Sequence, residues 1–453
     1  MEGTLLDGGL VITMDPERRM IEDGGVLIQG DTIFAVGKSA SIKEQFTWNE
    51  RMDTRGHVIL PGFVETHIHL SEHIVRSLIP DDDREWLPSW LVPIYSALNP
   101  EDEYYATLLA SMEMLKTGTT TFCEAGTCMH PDAVADALKK TGMRGILGRW
   151  TWDLPPGPER MKQTTEQALQ SNQDLISLVK GLDVEEIQAW PLLLGMGTIS
   201  DELLVGAKRL ADDNGLGLGF MHASNIPSLE TETQIQSLHH FEKLGILAPN
   251  LKLTHMVYVE DHEIDLLRDH GVKITHCPTA AMKHSKGICK YGRFPEMVEK
   301  GICVSLGVDS ANSSDHANML RLIHLVVQLY KDFRMDQSVF PAESVLEMAT
   351  LRGAEALLME KSIGSIEPGK KADFVLFNRN HPEWHPLINI ANNLAYAVTD
   401  RSIDRVFVAG KLVLDQGKMV GIDENKVFEK VDELALKLLE RAHVSPRLKW
   451  PLV

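Results

Sequence analysis

The feature that most limits what this chain can fold into is a rhythm. Across residues 60–367 short apolar runs alternate with segments of helical spacing. The runs are "VILPGFVETHIH", "GTTTFCEAG", "GMRGILGRW", "IQAWPLLLG", "LGLGFMHAS", "LKLTHMVYV", "VKITHCPTA" and "ICVSLGVDS", eight in all. Between them lie stretches such as "EDEYYATLLASMEMLKTG" and "DELLVGAKRLADDNG", which open on acidic residues and close on Gly as capped helices do. The runs do not alternate polar with apolar, so each reads as a strand buried on both faces. Eight strand–helix units predict an α/β fold, a (β/α)8 TIM barrel. An open doubly wound sheet would bring a Gly-rich turn after its first strand. That position here holds His67-Ile68-His69.

The flanks read differently. Residues 1–59 and 368–425 are short apolar runs separated by Asp-Gly, Gly-Gly and Gly-Asp turns, a hairpin pattern. Neither has enough strands alone, so both termini are expected to build one small β-sandwich domain around the barrel. Residues 426–453 form an amphipathic helix and tail, with Val427, Val431, Leu434 and Leu438 at helical spacing. A formal net charge of −19 disfavours nucleic acid and anionic membrane surfaces as partners. No apolar run is long enough to span a bilayer, and the N-terminus lacks the pattern of a signal peptide. Five scattered cysteines argue for a reducing compartment, so the expected location is cytoplasmic. A small molecule is the expected partner, together with further copies of the chain in a homo-oligomer, a dimer or larger.

Barrel strands end at the face where such folds place their chemistry. The residues there are His67 and His69, Glu124, Arg149 with Trp150, His222 with Asn225, His255, His276 and Asp309. A single His in an apolar run is usually a hydrogen-bonded core residue, but four strands ending in His are a convergence. Three imidazoles and a carboxylate suit one borderline divalent ion, so His67, His69, His222 and Asp309 are assigned as ligands. Asp309 is also placed to take a proton from the attacking water. His255 either orients that water and the developing oxyanion or serves a second ion. His276 is either structural or a substrate contact. Arg149 either pairs with Glu124 or meets substrate. Trp90, Trp150, Met221, His276, Met282 and His284 are the expected pocket residues, making it apolar and aromatic. The long segment after the first strand, with Trp86, Trp90, Leu87, Leu91 and Tyr95, reads as a wall over the barrel mouth.

The ordered set "PGFVETHIHL", "MHAS", "LTHMV", "HCPTAAMKHSKG" and "LGVDSANSSDHANMLR" resembles the amidohydrolase superfamily, in its branch of cytosine and guanine deaminases and triazine hydrolases. The resemblance covers nearly the whole chain. It implies one divalent metal per subunit, zinc before iron, cobalt or manganese, and a water-orienting role for His255. One departure stands out. Deaminases of this branch carry Glu three residues after the fifth-strand His, where this sequence has Asn225. Asn carries no proton. Asn225 is therefore read as a catalytic residue that holds a substrate carbonyl or leaving nitrogen. The alternative is that it has turned away and Glu124 or another carboxylate supplies the proton. On the first view the chain is expected to cleave a urea, carbamate or amide C–N bond, most like bacterial phenylurea and thiocarbamate (molinate) hydrolases. The alternative function is an aminohydrolase or dechlorinating hydrolase of a nitrogen heterocycle, whether triazine, purine or pyrimidine.

Overall fold

Leu5 and Leu6, like Val26, Leu27 and Ile28, are neighbours in sequence that must point to opposite faces of a strand. In the structure, a computed structural model that describes residues 3–83, 85–154, 161–195, 197–221 and 238–450, they do so. Leu6, Val26 and Ile28 join Ile59, Phe374 and Phe407 in one apolar cluster, whereas Leu5 and Leu27 pack with Ile42 in another. Both chain termini supply this region, which is one nine-stranded sheet. The join is between His57–Pro61 and Phe374–Asn378, antiparallel.

The eight runs form two five-stranded parallel arcs. One contains Asp309–Ser310, Phe63–His69, Thr119–Glu124, Arg144–Leu147 and Ile187–Ala189. The other contains Leu192–Leu193, Leu218–Met221, Leu251–Thr254, Lys273–His276 and Val304–Leu306. The fourth and eighth runs each belong to both arcs, and this closes the ring. Pro191 has no N–H to give a ladder, and the fourth run divides there, its first part pairing the third strand and its second the fifth. The eighth run divides around Gly307: Val304–Leu306 pairs the seventh strand, and Asp309–Ser310 pairs the first. Every residue of the first three barrel strands is buried, which is why their sequences do not alternate.

The helix Pro100–Lys116 follows the first strand. Pro100 opens it, and the Asn99 and Asp102 side chains form a reciprocal capping box. The last helix, Glu424–Ala442, lies over it and over Val92–Ala97. It buries Val427, Val431, Leu434 and Leu438, each worth about 1.5–3 kcal/mol when fully buried. It therefore braces the wall that follows the first strand. Among the described residues no helix is long and apolar enough to cross a membrane.

Candidate metal centre

His67 and His69 close the first barrel strand, and Ile68 between them is fully buried on the opposite side. Asp309 stands beside them because Ile68 pairs with Asp309 and His69 with Ser310. One further carboxylate fixes that junction. Glu65 accepts hydrogen bonds from the backbone N–H of His67 at 2.8 Å and of Val308 at 3.0 Å. It thus ties the first strand to the eighth beside His67 and Asp309. Burial pushes its carboxyl up to about 8.

The side chains converge on Asp309. Its Oδ1 lies 3.3 Å from His69 Nε2 and 3.7 Å from His67 Nε2, and its Oδ2 lies 3.8 Å from His255 Nε2. The outer ring nitrogens face hydroxyls: His67 Nδ1 is 3.4 Å from Thr254 Oγ1, and His69 Nδ1 is 3.2 Å from Thr127 Oγ1. His67 Nε2, by contrast, is buried without a hydrogen-bond partner. A buried polar atom without a partner is costly. Here it faces a carboxylate and a second imidazole, all offering a ligand atom within 4.8 Å of one another. Hydroxyls orienting the outer nitrogens are the support that metal-binding imidazoles require. The residues fit a divalent cation. His222 and Asn225 lie outside the described residues.

The electrostatics of these groups diverge. Burial would raise the Asp309 carboxyl, but the His69 hydrogen bond and the His67 and His255 rings hold it well below the usual carboxylate range. Burial pulls His69 down, but its bond to Asp309 and the charges of Glu72 and Glu124 take it to about 9. His255 falls to about 4 through burial, against the pull of Asp309. Glu124, lifted by burial to about 6, accepts hydrogen bonds from Gly126 N, Thr127 N and the Thr127 hydroxyl.

His69, His255 and Asp309 border a hollow of about 70 Å³. Its wall comes from the segment after the first strand, through Trp86, Leu87, Leu91 and Tyr95, and from Trp150, Met221 and His284. Trp86 stacks on His284 across the mouth, centroids 4.9 Å apart and planes 28° from parallel. His284 is held there by Ser313 Oγ, 2.9 Å from its Nε2.

Three expected pocket residues are elsewhere. Leu87 and Leu91 share a face of their helical turn and meet the hollow, while Trp90 points away. Its indole N–H donates to Asp83 at 2.8 Å, and Arg447 covers its ring. Thr275 bonds Thr66 inside the barrel, so strand alternation sends His276 outward. It stacks on Phe294 at 3.8 Å, where burial lowers it to about 3. Met282 is 45% exposed, because its helix turns Ala280 and Ala281 to the hollow. The site also holds Glu72, Thr127 and Ser313, which the reading of the sequence missed. Glu72 accepts from the Tyr95 hydroxyl at 2.9 Å and from Asn312 Nδ2 at 3.1 Å. A signal existed for it: a carboxylate three residues after His69, in the turn Leu70–Val75, falls on the histidine's side.

This ring of strands with imidazoles and an aspartate at one rim has a counterpart among known proteins. The amidohydrolase family model matches residues 58–413, and the chain belongs to that family. It is a hydrolase of C–N bonds other than peptide bonds. Among its relatives is 5-methylthioadenosine/S-adenosylhomocysteine deaminase 1 of Syntrophus aciditrophicus, 31% identical over 96% of this chain and 98% of the relative. Another is the 5'-deoxyadenosine deaminase of Methanopyrus kandleri, 32% identical over 95% and 98%. In structure the chain is similar to an adenosine deaminase from Xanthomonas campestris with bound zinc. The TM-score is 0.87 at 25% identity, covering 97% of this chain and 98% of that one.

These relatives correct the expectation of urea, carbamate or amide cleavage, and with it the likeness to phenylurea and thiocarbamate hydrolases. That expectation rested chiefly on Asn225, with the segment "HCPTAAMKHSKG" as lesser support. Full-length relatives at 31% and 32% identity are named as nucleoside deaminases instead. Loss of one proton-carrying side chain removes a single route for a proton and leaves the ligand floor and the rest of the rim unchanged.

Proposed function

We propose that the chain is an aminohydrolase of a nitrogen heterocycle, with an adenine nucleoside as substrate class. The observation that carries this reading is the full-length similarity to deaminases of such nucleosides, and the His67–His69–Asp309 group opening on an aromatic hollow supports it. Zinc is the proposed metal, in keeping with the bound zinc of the Xanthomonas campestris deaminase. His67, His69, Asp309 and, from the sequence, His222 would hold it. A bound divalent ion supplies Lewis acidity and eases ionisation of water.

The chain's own groups do the rest. Asp309, kept ionised by its three histidines, accepts the proton of the attacking water. It returns that proton to the departing amine, so that the water oxygen replaces the amino group and ammonia leaves. His255 is neutral at working pH, and its Nε2, 3.8 Å from Asp309 Oδ2, holds the water in line. Asn225 brings no proton for the ring nitrogen. Among the described residues lining the hollow, the carboxylates are Glu72 and Asp309; Asp309 carries one proton of the water to the amine, and Glu72 relays the other to the ring nitrogen. The hollow of about 70 Å³ is smaller than the ~150 Å³ that admits a benzene. Entry of a purine thus requires the Trp86–His284 pair to part, as lids do.

The test is a panel of 5'-deoxyadenosine, 5'-methylthioadenosine, S-adenosylhomocysteine and adenosine, incubated with zinc-loaded protein. Ammonia release with exchange of the amino group for oxygen by mass spectrometry is expected. No release from any of the four overturns the reading.

A further inference from the structure

We propose that residues 443–450 are a strap that holds the wall of the hollow shut, with Arg447 as its clasp and therefore a positioning residue for the substrate. The last helix ends at His443, whose left-handed backbone (φ 54°) and the Val444 N–H bond to Leu439 O turn the chain out of the helix. Val444 packs on the core. Just before this turn, Arg441 pairs with Asp102, and its Nε donates to Ala97 O at 3.3 Å. The root of the strap is thus fixed at the far end of the wall. The clasp lies at the near end. The Arg447 guanidinium stands 5.2 Å from the centroid of the Trp90 ring and 3.4 Å from Asp83 Oδ2. That same oxygen accepts the Trp90 indole N–H at 2.8 Å, and Asp83 Oδ1 accepts the Glu85 N–H at 3.0 Å. Lys449 follows, 3.6 Å from Asp82 Oδ2.

The grip reaches the hollow through one helical turn. Leu87 and Leu91 line the hollow, and Trp90 stands on the other side of that turn. Trp86, at the start of the turn, stacks on His284 across the mouth. Trp86 can leave His284 only as the turn moves, and the turn moves only against Asp83 and Arg447. Arg447 and Lys449 are 63% and 82% exposed, and cation–π contacts and ion pairs so placed are weak. Leu448 and Trp450 beside them stay in solvent. A strap built this way holds the wall and still releases it. The shut hollow, about 70 Å³, is too small for a purine, since a benzene already needs about 150 Å³. Apparent affinity falls in proportion to the fraction of molecules that are competent to bind. Loosening the clasp raises that fraction.

The inference rests on the proposed reaction for its kinetic readout only; hydrogen–deuterium exchange needs no substrate. In full-length Arg447→Ala the backbone amides of residues 85–97 should exchange about three- to tenfold faster than in wild type, with those of Phe63–His69 unchanged. With a nucleoside that the wild type deaminates, KM should fall about three- to tenfold while kcat stays within about twofold. Arg447→Lys keeps a cation over the ring and should restore both values toward wild type. Equal exchange in wild type and R447A overturns the proposal, as does faster exchange spread through the barrel strands, or a KM that holds or rises. If none of the nucleosides is turned over, the proposed reaction falls and the exchange measurement alone decides the strap.

Discussion

Two hollows of this molecule make opposite impressions. The larger, about 1240 Å³, lies beside the helices Pro100–Lys116 and Met319–Arg334. The smaller, about 70 Å³, lies over His69, His255 and Asp309. The larger is rich in charge, and there Arg76 pairs with Glu113 while Asp400 accepts a hydrogen bond from the Asn318 amide. The smaller is lined by a carboxylate, Asp309, held ionised by three rings, and one of those rings, His67, has a buried nitrogen with no partner. Volume reports where packing leaves room. Chemistry follows from polar groups that are fixed in place with a demand left unmet.

Four measurements sharpen or break this contrast. Asp309→Asn should fold, by far-ultraviolet circular dichroism, and lose on the order of 10³-fold in turnover, equivalent to about 4 kcal/mol at the transition state. Turnover within tenfold of wild type would remove Asp309 from the reaction. Thr127→Val takes away the hydroxyl facing His69 Nδ1 and should weaken metal affinity by about 10–100-fold in competition with a chelator. An unchanged affinity would make Thr127 mere packing.

His276 tests the boundary between site and core. Burial holds it at about 3, below its ordinary 6.5, so the folded chain keeps it neutral while the unfolded chain gains a proton. Its stabilising effect is complete above about pH 6.5 and lost as the pH falls toward 3, at about 1.4 kcal/mol per pH unit. Relative to wild type, His276→Phe should therefore gain about 2 kcal/mol of stability between pH 7 and pH 5, read from denaturant midpoints. A constant difference would show that the ring takes up a proton in the fold. Last, Gln328→Trp crowds the larger hollow and should change turnover less than about twofold, as exposed positions far from a site do. A strong loss would mean that hollow has a part in the reaction.

The barrel was legible because strands covered on both sides leave an unbroken apolar trace, repeated eight times. The convergence of His67, His69, His255 and Asp309 was legible for the same reason: these residues sit where those traces stop. Orientation was harder to read. Whether Trp90 or Leu87 faces the hollow depends on how one turn is rotated, and His276 differs from Thr275 only by the alternation of a strand. Glu72 was passed over because a carboxylate just past a strand ordinarily belongs to solvent. The chemistry was misread for a different reason. Asn225 was given the weight of a whole site, although a proton can reach a ring nitrogen from more than one side chain.

The carboxylate of Glu65 joins residues 243 positions apart, and this gives the site an order in time. During synthesis the first strand emerges with its two imidazoles long before Asp309 exists. Contacts so distant in sequence form late. A nascent chain therefore carries half of its centre, His67 and His69 without their carboxylate, until the eighth strand arrives and the seam closes.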